Sequence, residues 1–229
     1  MRIASLQKFS MIDFPNELSA VIFTQGCNFR CPYCHNPELV DSSKFTEAIS
    51  EESILKFLDS RVGKLDGVVI TGGEPTIHKD LISFISKIKK MGFLVKLDTN
   101  GTNPGMIKEI IQHNLIDYIA MDYKAPLGKY SDVVRVHVDL NDILESIELI
   151  KKSGLKYEFR TTVVENLLSS FDVKLIQMEL GEGKKYCIQN FVASKTLDDK
   201  FMTSNPFSED TMEKLKENEY GVFLEKVIR

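Results

Sequence analysis

"GCNFRCPYCHNP", residues 26–37, places three of the chain's four cysteines, Cys27, Cys31 and Cys34, within eight positions. A closed zinc site takes four ligands and disulfides take pairs, so a trio fits neither. Three thiolates leave one coordination position open, and open positions are where metals do chemistry. The loop follows the apolar run "AVIFT" (20–24), and five more such runs recur at fairly regular intervals: "GVVIT" (67–71), "FLVKLDT" (93–99), "DYIAMDY" (117–123), "YEFRTTVV" (157–164) and "YCIQNFV" (186–192). Their β-branched and aromatic richness reads as strands, several of them buried on both faces.

Helix-period segments lie between the runs. Ser50 is placed to cap "EESILKFLDS", and Pro104 follows Asn103 as the first helical residue after a cap. Asp139 opens "LNDILESIELIKKSG", in which Ile143, Ile147 and Ile150 share a face and Gly154 supplies the stop. Ser170 and Gly181 bracket "FDVKLIQMEL" in the same way. A last helix over about 209–219 and a terminal strand "GVFLEKVI" close the chain. Six strand–helix repeats mean parallel βα units, against eight in a complete barrel of typically about 250 residues. The expectation is an α/β fold, a partial (β/α)6 barrel open along one side, with residues 1–229 as one domain.

Composition agrees. Hydrophobic content of 43% and charged content of 27% are ordinary for a globular protein. With 29 basic and 33 acidic residues the net charge is −4, so no basic field advertises nucleic acid or anionic membrane. The start "MRIASLQKFS" lacks a long apolar stretch, and no run approaches eighteen apolar residues, so the chain reads as cytoplasmic. In that reducing compartment clustered cysteines favour metal or redox chemistry, while Cys187, in "KKYCIQNFV", reads as a buried strand thiol.

In parallel α/β folds the working residues lie beyond the carboxyl ends of the strands. Those ends here carry the cysteine loop, then "TGGEP" (71–75), "DTNG" (98–101), "MDYKAP" (121–126), "RTT" (160–162) and "QNF" (189–191). Each has a bland reading. The glycine pair makes a tight turn, Asn-Gly marks a turn, Asp122 and Lys124 pair on a surface, and His35 and His78 make local hydrogen bonds. The bland readings leave the coincidence unexplained. Carboxylates, glycines and cations recur on the rim that carries the cysteines.

Cys27-x3-Cys31-Pro32-Tyr33-Cys34 resembles the signature of the radical S-adenosylmethionine (radical SAM) enzymes, and "GGEP" resembles their second hallmark. The resemblance implies a 4Fe-4S cluster held by Cys27, Cys31 and Cys34, with S-adenosylmethionine chelating the fourth iron. One electron then splits the sulfonium to methionine and a 5′-deoxyadenosyl radical. By the same resemblance the Tyr33 backbone meets the adenine edge, and Gly72, Gly73 and Glu74 lie along the methionine amino group. Asp98, Asp122, Lys124 and Arg160 surround the cofactor, and Phe191 walls the adenine. A monovalent cation held by Asp98, Thr99, Asp122 and the carbonyl of Ala120 is implied too, because two carboxylates beside an anionic methionine carboxylate repel unless a cation intervenes.

The longer string "SMIDFPNELSAVIFTQGCNFRCPYCHNPEL" looks like the activating proteins of anaerobic ribonucleoside-triphosphate reductase, within the glycyl-radical enzyme activase group. That implies a large glycyl-radical enzyme as partner, probed through an open barrel wall, and a flavodoxin- or ferredoxin-like electron donor. Asp13 matches an aspartate that accepts a hydrogen bond from the substrate loop, and equally opens a turn with Pro15. With only Cys187 left over, an inserted two-cluster ferredoxin-like domain is excluded. A pyruvate formate-lyase-type activase is the second reading. A 7-carboxy-7-deazaguanine synthase-like enzyme is the third, although such proteins usually follow the third cysteine with aspartate and threonine where this chain has His35-Asn36-Pro37. A structural or electron-transfer zinc or iron–sulfur module is the non-enzymatic rival.

Overall fold

The computed structural model describes residues 1–181, 185–216 and 222–223. Its strands are β1 (Ile3–Ser10), β2 (Ser19–Thr24), β3 (Gly67–Gly72), β4 (Leu94–Thr99), β5 (Tyr118–Asp122), β6 (Lys156–Val163), β7 (Tyr186–Asn190) and β8 (Val222–Phe223). The helices are α1 (Pro37–Val40), α2 (Glu51–Asp59), α3 (Leu81–Lys90), α4 (Pro104–Gln112), α5 (Tyr130–Val134), α6 (Leu140–Lys152), α7 (Ser170–Leu180) and α8 (Glu209–Lys216). All eight strands form one sheet in chain order, β1 antiparallel to β2 and every later pair parallel. The six expected βα strands are β2 to β7. No helix among the described residues is long and apolar enough to cross a membrane.

Strand β1 was not expected. Its pattern of exposure, with only Ile3 and Ser10 fully buried, lacks the apolar run of a central strand, and its pairing with β2 is interrupted twice. It is an edge strand held by the ladder rather than by side-chain burial. At the other end, Val222–Phe223 realise part of the terminal strand beside β7. The rest of that strand and residues 217–219 of the last helix lie outside the described residues.

Caps set the helix starts. Ser50 accepts from the Ser53 amide, Asn103 from Met106 ahead of Pro104, and Asp139 from Asn141. The α7 cap is Ser169, one residue before the expected Ser170. Ser169 accepts from the Asp172 amide while the Asp172 carboxylate accepts from the Ser169 amide, and this reciprocal pair outcompetes the neighbouring serine.

Period-two alternation sorts the strands into two faces. Ile22, Ile70, Leu97 and Ile119 pack outward into the large core beneath the helices. Val21, Val69, Tyr118 and Ala120 point the other way and close around Phe14 in a small inner plug. The Phe14 ring meets Tyr118 edge-on at 6.1 Å. Phe14 belongs to the turn joining β1 to β2, so that turn blocks the amino end of the inner face. Nearer the carboxyl end the inner face turns polar, with Lys96, Asp98, Glu158 and Arg160 all buried.

Candidate active site at the carboxyl ends of the strands

A cavity of about 220 Å³ opens where β3 to β7 end, facing the cysteine loop. It gathers Cys27, Cys31, Tyr33 and Cys34 with Gly72, Gly73 and Glu74. Asp98, Thr99, Asp122, Lys124 and Arg160 complete the wall, so most residues singled out in the sequence meet in one place. Three do not line it. Ala120 sits in the inner plug. Phe191 lies behind the wall, its ring stacked at 5.1 Å on His35, and it is His35 that faces the cavity. Asp13 lies away from the wall, its carboxylate accepting from Ser10 Oγ at 2.6 Å.

Thr162, Gln189 and Asn190, present in the strand-end strings "RTT" and "QNF" without an assigned role, also line the cavity from β6 and β7. Alternation from the inward Cys187 puts Gln189 on the cavity face, whereas Phe191, of the same parity but past the end of β7, turns into the large core. Gln189 Oε1 accepts from Thr162 Oγ1 at 3.4 Å, whereas the Asn190 amide is tied to the backbone of Phe207 at 2.8 and 2.9 Å.

The cysteine loop is built to hold sulfur. Cys31 is buried and Cys27 and Cys34 are half-buried. Burial pushes the Cys27 thiol up to about 12 and Cys31 to about 11, and raises Cys34 as well. A cluster bound at these sulfurs would have to displace their protons. Backbone amides already aim at the sulfurs: Phe29 N–H points to Cys27 Sγ at 3.4 Å, and the Asn36 amide donates to Cys34. Three thiols on one cavity wall, with amide donors behind two of them, fit a cluster bound through three irons. Cys187 is not among them. It is buried on β7 and its thiol points to Glu158 Oε2 at 3.8 Å.

The glycine pair splices the second loop to the first. Gly73 N–H donates to Thr24 O at 2.9 Å and Glu74 N–H to Gly26 O at 2.8 Å. Gly72 has φ +117°, and a β-carbon there would lie 2.3 Å from the Thr24 nitrogen. The Glu74 side chain is buried in the same joint. Its Oε1 accepts from Thr76 N, Thr76 Oγ1 and Thr99 Oγ1, and its Oε2 from Asn100 N alone. Each carboxylate oxygen offers about two acceptor positions, so Oε2, with the Asn100 amide as its donor among the described residues, keeps room for one more.

Charges alternate across the wall. Asp98 Oδ2 is 3.2 Å from Arg160 Nη1, Asp122 Oδ1 is 2.9 Å from Arg160 Nε, and Asp122 Oδ2 is 3.1 Å from Lys124 Nζ. Burial works against ionising Asp122, but the Arg160 guanidinium and the Lys124 ammonium outweigh it and hold the carboxyl well below its ordinary range. Two carboxylates beside an anionic ligand would repel it, and side chains supply the intervening cations. Thr99 Oγ1, one of the expected cation ligands, donates to Glu74 Oε1 at 2.7 Å and keeps acceptor capacity in its lone pairs.

A family model described as the radical SAM superfamily matches residues 21–168. A protein of Methanocaldococcus jannaschii named as a glycyl-radical enzyme activating enzyme is 38% identical over 204 residues, covering 87% of this chain and 83% of its own length. The pyruvate formate-lyase-activating enzyme of Clostridium pasteurianum is 32% identical over 181 residues, 74% of this chain and 71% of that protein. Among solved structures, a radical SAM methyltransferase from Sphaerobacter thermophilus superposes with a TM-score of 0.72 at 12% identity, over 93% of this chain and 67% of that one, which is a likeness of fold alone. The matched segment spans every strand end from the cysteine loop to Arg160, and on that match the chain belongs to the radical SAM superfamily.

Proposed function

We propose that this protein generates a glycyl radical on a large partner enzyme. The observation that carries the reading is the convergence of the cysteine trio, the glycine–glutamate joint and the Asp98–Arg160–Asp122–Lys124 series on one cavity. The names of its two reported activating-enzyme relatives support the class of partner. When bound, the cluster and S-adenosylmethionine supply the radical chemistry.

The chain's residues bind and orient. Cys27, Cys31 and Cys34 hold the cluster. Arg160 and Lys124 present positive charge to the methionine carboxylate, while Glu74 Oε2 and the Gly72–Gly73 backbone receive its ammonium group. The Tyr33 backbone meets the adenine edge. Phe191 contributes indirectly, by backing the His35 ring that faces the cavity. The sheet runs from β1 to β8 without pairing its ends among the described residues, which leaves a side through which an extended peptide reaches the cavity. A glycine Cα–H flanked by two amides is a weak bond and a suitable hydrogen donor. Asp13 remains the candidate acceptor for such a peptide's backbone, at the β1–β2 turn rather than in the wall.

Anaerobic ribonucleoside-triphosphate reductase is the first partner, on the string from Ser10 to Leu39, and a pyruvate formate-lyase-type enzyme the second. A flavodoxin- or ferredoxin-like protein in a reducing cytoplasm supplies the electron. The test is electron paramagnetic resonance of the reduced protein with S-adenosylmethionine and a candidate reductase. A glycyl doublet that disappears when the partner's glycine is replaced by alanine supports the reading. Cofactor cleavage with no signal on any glycyl-radical enzyme, together with turnover of a pterin-like small molecule, replaces it with the ring-contracting 7-carboxy-7-deazaguanine synthase-like alternative.

A further inference from the structure

Lys96 is 2% exposed and lies on the inner face of the barrel, two residues before Asp98 on β4. Its ammonium donates to the Asp13 carbonyl oxygen at 2.6 Å and lies 3.3 Å from Asp98 Oδ1 and 4.0 Å from Glu158 Oε1, with the Tyr118 ring centroid at 5.7 Å. A lysine held this far from water is retained only with partners of opposite charge. Here those partners are two buried carboxylates on different strands. One of them, Asp98, belongs to the cavity wall and the other, Glu158, does not.

We propose that Lys96 is a positioning residue for the cofactor pocket, the built-in counter-ion that keeps Arg160 available to the anionic end of the ligand. Arg160 stands between Asp98 and Asp122 and also feels the charge of Glu158, its neighbour two residues earlier on β6. With Lys96 in place, Asp98 has a second cation beside Arg160, Glu158 has Lys96 in addition to Lys185 Nζ at 3.0 Å, and the guanidinium spans the wall between Asp98 and Asp122. Without it, Asp98 draws harder on Arg160 from the amino side, pulling it away from Asp122 and Lys124, while Glu158 keeps Lys185. The pocket then loses positive potential where an anionic carboxylate binds. The same ammonium ties down the β1–β2 turn through the Asp13 carbonyl, so one side chain serves both the floor of the barrel and its polar wall.

The role rests on the reading of this cavity as the S-adenosylmethionine site, and the experiment separates the two. Reconstitute the holoprotein, Lys96→Met, Glu158→Gln and the double variant anaerobically. Measure iron content, S-adenosylmethionine affinity from its perturbation of the cluster spectrum, and the cleavage rate at saturating cofactor. Lys96→Met is expected to keep its iron and to bind S-adenosylmethionine about tenfold more weakly, the scale of one weakened charge-assisted contact. Its saturated rate should stay within about threefold, because binding and not the chemical step is affected. The double variant, which removes one buried negative charge along with the ammonium and so restores the charge balance of the interior, should recover most of the affinity. Proteolysis at the exposed Met11–Ile12 turn should quicken in both lysine variants, since neither restores the donor to Asp13. Unchanged affinity in Lys96→Met, lost iron, or a double variant no better than the single would each overturn the positioning role. Failure of the unmutated protein to bind S-adenosylmethionine would overturn the pocket reading itself.

Discussion

A β-carbon added at Gly73 would fall 2.0 Å from the carbonyl oxygen of Gly26. That oxygen accepts from Glu74 N–H and precedes Cys27, so the two loops meet backbone to backbone with no room for a side chain. Gly73→Ala must part them, and a forced backbone shift of this kind costs on the order of 3 kcal/mol. Lower Tm and reduced iron loading are expected together. Gly128→Ala, where nothing lies within 4 Å and φ is not positive, is the control and should be neutral or slightly stabilising. A Gly73→Ala protein with the parent's Tm and iron content would show that the close approach is not what demands glycine.

Iron content distinguishes the cysteines. Cys27, Cys31 and Cys34 line the cavity, while Cys187 is buried at the level of Arg160 with its thiol directed at Glu158. Each of Cys27→Ala, Cys31→Ala and Cys34→Ala should fail to hold the cluster after anaerobic reconstitution, because thiolates are the iron ligands available there. Cys187→Ala should load normally. Full iron in Cys34→Ala, or an iron-free Cys187→Ala, would reverse the assignment.

Acid stability should report the interior ion pairs. Burial alone would raise Glu158, but the charges of Arg160 and Lys96 and the hydrogen bond from Lys185 outweigh it, and the carboxyl lies below its ordinary value. A carboxylate with a depressed folded-state pKa adds stability that is fully present above its unfolded value. That stability is lost as pH falls through the folded one. Urea unfolding of the parent should therefore weaken steadily below about pH 4.5. Glu158→Gln should start less stable at pH 7 and decline less steeply over that range. Parallel declines would mean that Glu158 titrates alike in both states.

Seven of the eight strands were legible, six because β-branched runs buried on both faces leave an unambiguous trace, with their order following from the alternation with helices, and β8 as part of the apolar run that closes the chain. Strand β1 was not, since an edge strand can form on ladder hydrogen bonds with few buried side chains, and its apolar content resembles a loop's. The cavity wall was legible for a related reason. Parallel topology fixes where polar residues gather, so reading the strand ends found Asp98, Asp122, Lys124 and Arg160 without coordinates. Lys96 escaped because it sits one turn of the pleat below the end, in a position that a period-two rule assigns to the interior but that composition alone assigns to solvent. Phe191 was misplaced because β7 ends at Asn190 and its alternation stops there, so the ring turns into the core while Gln189 and His35 line the cavity.

The charge pattern of the wall leads to a last expectation, about alkali ions. Resemblance to the glycyl-radical activases implied a monovalent cation beside Asp98 and Asp122, on the ground that two carboxylates near an anionic ligand need one. In this chain Asp98 meets Lys96 and Arg160, and Asp122 meets Arg160 and Lys124, at 2.9 to 3.3 Å. Each carboxylate thus has two side-chain cations within ion-pair distance, and fixed internal charges are screened far less by salt than surface ones. Exchanging sodium and potassium for tetramethylammonium at constant ionic strength should therefore change the rate of S-adenosylmethionine cleavage by less than about twofold, the size of a weak screened electrostatic effect. Asp98→Asn should by contrast weaken cofactor binding in every salt, because it removes the negative link that holds Lys96 and Arg160 together. A rate that collapses without potassium or sodium and returns on adding either would show that an inorganic ion works beside the lysine and arginine. The polar wall would then need a ligand set beyond the side chains that pair within it.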